Sequence, residues 1–298
     1  MEMISPRVDI AFKKLFGVEE NKDLLISLVN AIVGEADQIT DVTLLNPYNR
    51  SNFWRDKISI LDLKAKGSNG QLLNIEIQVN DVADYDKRAL YYWAKLYTDQ
   101  LGEGAGYDKL AKAIGIHILN FNSIPGMEGY HNIFRIQKDS GKLHYFQDLE
   151  LHTIELKKFT SDAEEGIADI VAKVREPLDR WVAFLTRHDL MNKDCLPSSL
   201  DDPEIKRALN VLEYMSFGKD EREAYEGRLK WLRTEASALK KHGTEKFEEG
   251  KVEGKLEGKL EGKIEVAKAL LKEHMAMQAI VNVTGLPLQQ IEALGLGR

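Results

Sequence analysis

Apolar residues first recur at helical spacing. Phe12, Leu15 and Phe16, then Leu24, Leu25, Leu28 and Val29, predict helix from residue 5 to about 33. Ser5 reads as the N-cap with Pro6 at the first helical position, Gly17 divides the stretch in two, and Gly34 ends the second helix. From Asp41 the period changes. Val42 to Leu45 predicts a short strand, and SILDLKA (59–65) and QLLNIEIQV (71–79) alternate around GSNG (67–70), a hairpin signal. Helical spacing returns over 84–101, where Leu90, Trp93, Ala94, Tyr97 and Leu101 share one face. A glycine-rich loop (102–109) leads into KAIGIHILNFN (112–122), a short apolar run bounded by turn residues that reads as a buried strand.

Two more strand-like stretches, HNIFRIQ and KLHYFQDLELHTIEL, flank the turn DSGK between 130 and 156. Beyond Phe159 the pattern is helical: 163–188 with Trp181, Phe184 and Leu185, then 203–216, then a heavily charged 220–242. Residues 250–265 repeat every four positions as GKVE GKLE GKLE GKIE, with Gly250, Gly254, Gly258 and Gly262 in register. An apolar helix (266–277) follows, then helix, a turn at Thr284-Gly285, and helix. The expected organisation is an α/β domain over 1–160 with a mixed sheet, a helical extension over 161–243, the repeat segment over 244–265 and a small helical unit over 266–298.

Composition narrows the class. The 298 residues are 43% hydrophobic and 30% charged, which supplies a sizeable core and excludes general disorder. No apolar run approaches the ~20 residues that span a bilayer, and the first sixteen residues lack the apolar core of a signal peptide. The single cysteine, Cys195, excludes an internal disulfide framework and a multi-cysteine zinc site, and a reducing, cytoplasmic setting is expected. A net charge of −7 argues against non-specific coating of DNA by the whole protein, but leaves room for a local groove.

The hairpin carries the chemistry. With a three-residue loop, Ser68-Asn69-Gly70, and Gly70 in the left-handed conformation such a loop requires, Asp62 falls directly opposite Glu76. Alternation then puts Asp62, Lys64, Asn74, Glu76 and Gln78 on one face, with Leu61, Leu63, Leu73, Ile75 and Ile77 on the other. Two opposed carboxylates repel unless a cation sits between them, and a hard divalent ion such as Mg²⁺ is the natural occupant, with the Ile77 carbonyl as a third ligand. The plain alternative is an antiparallel hairpin with one wet face. Trp54, Tyr91, Tyr92 and Trp93 flank the hairpin and favour a covered site.

D-x13-E-x-Q, preceded by a helical segment with DIAFKKLFG and followed by R-x2-YY-x4-Y-x2-QL, resembles the PD-(D/E)XK nuclease superfamily. Within it the chain is most similar to the recombination-promoting nuclease (Rpn) family of transposase-like proteins, over roughly Ser5 to Phe159 and again in the GKxE tail. The resemblance implies a restriction-endonuclease-like core and a Mg²⁺- or Mn²⁺-dependent DNA endonuclease linked to recombination or mobile elements. Asp62 and Glu76 match the metal-binding acids, with the Ile77 carbonyl beside them, and Gln78 stands where the superfamily usually has lysine. Asp9 matches the acid of the first helix, accompanied by Phe12 and Lys13, and Arg88 and Tyr92 fall on the helix after the motif. Leu61 replaces the motif's proline. Gln78 would orient the attacking water and Lys64 would supply the missing charge, or Lys64 is a solvated strand lysine. Asp9 binds a second ion or a metal-bound water, or is a surface acid at a helix start. A family member that binds DNA or protein without cutting, and an oligomeric scaffold, are the rival readings.

Other signals carry less. His117 alternates inside a buried strand and reads as a satisfied core or edge histidine rather than a ligand. His131, His144 and His152 lack the spacing of a helical zinc pair, and Cys195 has no nucleophile context. Glycines 102, 104 and 106 do not form a dinucleotide fingerprint. The GKxE repeat gives either a glycine groove along a helix, for association with a second copy, or a charged linker.

Overall fold

The computed structural model describes residues 4–48, 62–79, 81, 83–139, 145–160 and 165–296, and two compact units, Met1–Leu232 and Arg233–Arg298. In the first unit, α1 (Asp9–Phe16) and α2 (Lys22–Ile32) precede β1 (Val42–Leu44), β2 (Asp62–Gly67) and β3 (Leu72–Gln78). Then come α3 (Tyr85–Thr98), β4 (Ala113–Leu119), β5 (His131–Arg135), β6 (Leu149–Glu155) and α4 (Leu156–Phe159). Helices α5 (Ile167–Lys173), α6 (Pro177–Arg187) and α7 (Pro203–Tyr214) complete it, together with the start of α8 (Lys219–Lys272).

The strands form a mixed six-stranded sheet in the order β1-β2-β3-β4-β6-β5. A tight loop can only reverse the chain, so β2 and β3 are antiparallel; α3 is a crossover, so β3 and β4 are parallel, as are β4 and β6. On one face Leu73, Ile75, Ile77, Ile114, Ile116, Ile118 and Ile154 pack with Phe12, Phe16, Leu28, Trp181 and Phe184 from α1, α2 and α6. On the other, Tyr85 and Ala89 of α3 close over Leu119 and Phe121. Covered on both sides, all seven residues of β4 are buried. This is the expected α/β arrangement with flanking helices.

Prolines moved two boundaries. Pro6 sits in a turn, in which Val8 N donates to Ser5 O at 3.2 Å, so α1 starts at Asp9 rather than after a Ser5 cap. The stretch 163–188 is two helices, because Pro177 opens α6 and Asp179 accepts from the backbone N–H of Arg175 and Glu176, each at 2.8 Å. The inner face of α3 is also displaced: Tyr85, Ala89 and Leu96 are buried, whereas Leu90 is 49% exposed. Trp93 and Tyr97 stack beside that face and reach Ala113 O and Asp148 Oδ2, both at 2.7 Å. Strand β6 begins only at Leu149, and residues 140–144 lie outside those described.

Among the described residues β5 is one of the two edge strands, β1 being the other. Glu155 N donates to Tyr130 O at 2.7 Å, and alternation from that pair turns the backbone groups of His131, Ile133 and Arg135 away from β6. Ile133, Phe134 and Ile136 are exposed. Further in, Glu150 is fully buried and accepts from Lys112 Nζ (2.9 Å), Arg135 Nε (2.7 Å) and His152 Nε2 (2.7 Å). These donors hold its carboxyl well below the usual range against the opposing effect of burial. His131 Nε2 lies 2.9 Å from His152 Nδ1.

The start of α8 is fastened within the first unit. Glu221 accepts from Tyr48 Oη at 2.6 Å, from Gly218 N at 2.7 Å and from Lys14 Nζ at 3.1 Å, and Tyr225 stacks on Phe217. The helix runs on through the GKxE repeat, and a Cβ placed on Gly258 or Gly262 would meet nothing within 4 Å. In the second unit, α9 (Met277–Thr284) and α10 (Leu288–Leu296) follow, so the apolar stretch 266–277 is largely the end of α8. Gly285, with φ 66°, makes the expected turn, and Ala267, Ile280, Leu286 and Ile291 form a small core. Among the described residues no helix is long and apolar enough to cross a membrane.

Burial pushes His131 and His188 down to about 4, so both are neutral in the folded chain at pH 7. His131 faces His152 and Glu150, and His188 faces Asp189 and Arg7. The unfolded chain takes up their protons from about pH 6.5, so their stabilising effect is lost as pH falls from there toward 4. Glu150 acts at lower pH. Calorimetry should give a lower Tm at about pH 5 than at about pH 7.5, and His131→Gln should flatten that dependence. A Tm independent of pH over this range would contradict the assignment.

Candidate active site

The β2–β3 loop is the three-residue type. Gly70 has φ +86°, its N–H donates to Gly67 O, and Gly67 N donates to Gln71 O, both at 2.9 Å. The register follows: Asp62 opposite Glu76, Lys64 opposite Asn74, with Leu63, Leu73, Ile75 and Ile77 in the core. Only the backbone of Asp62 is described, and Trp54 and Leu61 lie outside the described residues.

The polar face of β3 is covered at its middle. Asn74 is 2% exposed and Glu76 3%, because α3 lies across them. The cover differs from the one anticipated: Tyr91 and Tyr92 point outward, and Tyr85, Arg88 and Ala89 turn inward. Arg88 Nη2 donates to Glu76 Oε1 at 2.7 Å and to Gln78 Oε1 at 3.0 Å, and its guanidinium lies 5.0 Å from the Tyr85 ring. A guanidinium only donates, so Gln78 must present its amide oxygen here.

Parallel pairing adds neighbours that no local motif reveals. Glu76, His117 and Thr153 form one row across β3, β4 and β6. His117 Nδ1 shares a 3.0 Å hydrogen bond with Tyr85 Oη and lies 3.9 Å from Glu76 Oε2. Burial, and then the Arg88 charge, push the imidazole down to about 4, so it is neutral, and burial raises the Tyr85 phenol well above its ordinary value. His117 is thus the core histidine expected, with Tyr85 as its partner. Among the described residues Arg88 Nε, His117 Nε2, Asn74 Oδ1 and Thr153 Oγ1 are buried without a hydrogen-bond partner.

The remaining candidates sit around this row. The Gln78 carbonyl accepts from Asn120 N at 2.9 Å, so the preceding carbonyl, that of Ile77, is turned to the β2 side. Lys64 is half-buried, and its backbone N–H donates to Asn46 Oδ1 at 2.6 Å. Asp9 lies in the first turn of α1, which packs on β2 and β3, and its Oδ1 accepts from Ile10 N at 2.8 Å. Phe12 is core, and Lys13 is buried. Among the described residues no group of three His, Cys, Asp or Glu side chains is placed to hold a metal ion. The oxygen groups that the described residues present at the hairpin are the Glu76 carboxylate and the Ile77 carbonyl, both hard-oxygen groups. His131 and His152 belong to the Glu150 cluster, and Cys195 is an exposed free thiol.

A family model described as PD-(D/E)XK nuclease family transposase matches residues 6–242. No curated protein and no solved structure matches the chain.

Gly115 makes room for His117. A Cβ on it would come within 2.6 Å of Leu151 Cδ2 and 3.0 Å of His117 Nε2. Gly115→Ala should therefore destabilise the chain by about 1–3 kcal/mol in urea denaturation. Shortening Leu151 to alanine in that background should return part of the loss, and additive losses would contradict the steric account.

Proposed function

Since the chain belongs to the PD-(D/E)XK nuclease transposase family, we propose that it is a metal-dependent DNA endonuclease that hydrolyses phosphodiester bonds in recombination or in the movement of mobile elements. The observation that supports this most is the hairpin register, which sets Asp62 across from Glu76 with Glu76 buried under α3. An acid so enclosed, facing a second acid position, is suited to charge chemistry rather than to hydration.

In this reading Asp62, Glu76 and the Ile77 carbonyl hold Mg²⁺ or Mn²⁺. The ion supplies a Lewis acid beside the scissile phosphate and makes a water nucleophilic near neutral pH. Gln78, with its oxygen turned to Arg88, orients water or a phosphate oxygen by donating from its amide N–H groups. Lys64, on the neighbouring strand, stabilises charge developing on the phosphate. Asp9 holds a second ion or an ordered water at the start of α1. The partner is DNA, and the exposed free thiol of Cys195 fits a cytoplasmic setting. The open glycine positions of α8 support a homodimer in which the repeat helix packs on its twin.

Glu76→Gln, nearly isosteric, should abolish divalent-dependent nicking of supercoiled plasmid, as should Asp62→Ala, with the circular dichroism spectrum retained. Lys64→Ala should lower the rate ~10²-fold; cleavage at the parental rate would remove Lys64 from the mechanism. An active Glu76→Gln variant would remove the hairpin altogether.

Deleting residues 244–298 should convert a dimer to a monomer in light scattering. An unchanged mass would leave the repeat a spacer.

A further inference from the structure

Arg88 holds Glu76 by one nitrogen, and the same nitrogen holds Gln78. Burial makes a bare carboxylate at Glu76 costly, so without a divalent ion some cation must compensate it. Among the described residues Arg88 supplies such a cation. A divalent ion on the same carboxylate changes the balance, because a guanidinium 2.7 Å from Oε1 then faces a larger like charge at close range. The two cations compete for one acid.

Arg88 is built to leave. Its side chain is 32% exposed and, among the described residues, its Nε is buried without a partner and its hydrogen bonds both come from Nη2. A guanidinium in that state has an unmade donor to gain elsewhere, and its fork matches the oxygens of a phosphodiester bidentately. The same contact accounts for glutamine at position 78. The amide oxygen lies 3.0 Å from Arg88 Nη2, where a lysine ammonium would meet a second cation.

We propose that Arg88 is an exchangeable counter-cation: it neutralises Glu76 while the site lacks a divalent ion, and transfers to the DNA phosphate backbone when the ion takes its place. This rests on the reading of the hairpin as the metal-binding site. It makes metal loading and DNA engagement successive uses of one charge. It also sets a cation on α3 beside the one that Lys64 brings from β2.

The test is Mn²⁺ titration by calorimetry into the full-length, DNA-free protein, alongside plasmid cleavage and DNA binding. Arg88→Met keeps the apolar contact with Tyr85 and removes the charge; Arg88→Gln is the second variant, should the first fail to fold. Either should bind Mn²⁺ ~10-fold more tightly than the parent, since a competitor is gone, while DNA cleavage falls ~10²-fold. Arg88→Lys, which keeps a charge but not the fork, should bind Mn²⁺ like the parent and cleave slowly. If Arg88 only pins α3 to β3, its loss loosens the hairpin and Mn²⁺ binding weakens; unchanged or weaker binding overturns the exchange. So does tighter binding with parental cleavage. Glu76→Gln separates the two claims. If the parent binds Mn²⁺ and Glu76→Gln does not, the site stands whatever Arg88 does. If both bind alike, or neither binds, the hairpin is not the metal site and the exchange falls with it.

Discussion

A carboxylate in the middle of a sheet covered on both faces must be matched by a cation or lose its charge, and the placement of α3 answers that requirement. Tyr85, Arg88 and Ala89, at helical spacing, turn one wall of the helix toward Glu76 and His117. Ala89 lets the helix come close, Tyr85 fills the space beside the imidazole, and Arg88 supplies the charge. The other buried acid, Glu150, is satisfied differently. Lys112, Arg135 and His152 all donate to it, so its environment is closed and it serves as a fixed tie between β4, β5 and β6. Glu76 and Glu150 lie in one sheet under similar burial; three side chains donate to Glu150, and the nitrogen that Arg88 gives to Glu76 is shared with Gln78.

The local parts of this arrangement were legible in the residues. A glycine at the last position of GSNG fixes the loop type, the loop fixes the register, and alternation follows, so Asp62 opposite Glu76 could be read directly. Parallel pairing could not. His117 and Thr153 reach the Glu76 row through crossovers of many residues, and no periodicity in a single chain measures where two such strands come level. The inner face of α3 is hidden from the sequence pattern for a related reason. A helix covering polar groups turns inward the residues those groups need, which here are Tyr85, Arg88 and Ala89, while Leu90 and Tyr91 remain outside. A pattern that ranks positions by hydrophobicity selects the neighbouring wall, where Trp93 and Tyr97 lie. Pro6 and Pro177 show the limits of boundary signals: each marks a stop as readily as a start, and the neighbouring carbonyls and carboxylates decide which.

The charged C-terminal third obeys another balance. Glycine every four residues weakens a helix, and the Lys and Glu between them restore only tenths of a kcal/mol per pair. Yet α8 is continuous across the repeat. Its first turns are fastened by Glu221 to Lys14 and Tyr48, and its last turns contribute Ala267 to the core shared with α9 and α10. A helix with poor intrinsic propensity at its centre is thus stabilised where tertiary contacts hold its two ends.

The outer side of β5 has a consequence for handling and for the cell. Natural sheets blunt their edges with lysine, proline or a bulge, and between His131 and Ile136 this strand has none of them. Arg135, its one full charge, is drawn inward to Glu150, while Ile133, Phe134 and Ile136 face solvent beside outward-turned peptide groups. Solubility then rests on the overall net charge of −7, which keeps copies apart at long range. Salt screens that repulsion without weakening the edge, so low ionic strength keeps concentrated protein dispersed.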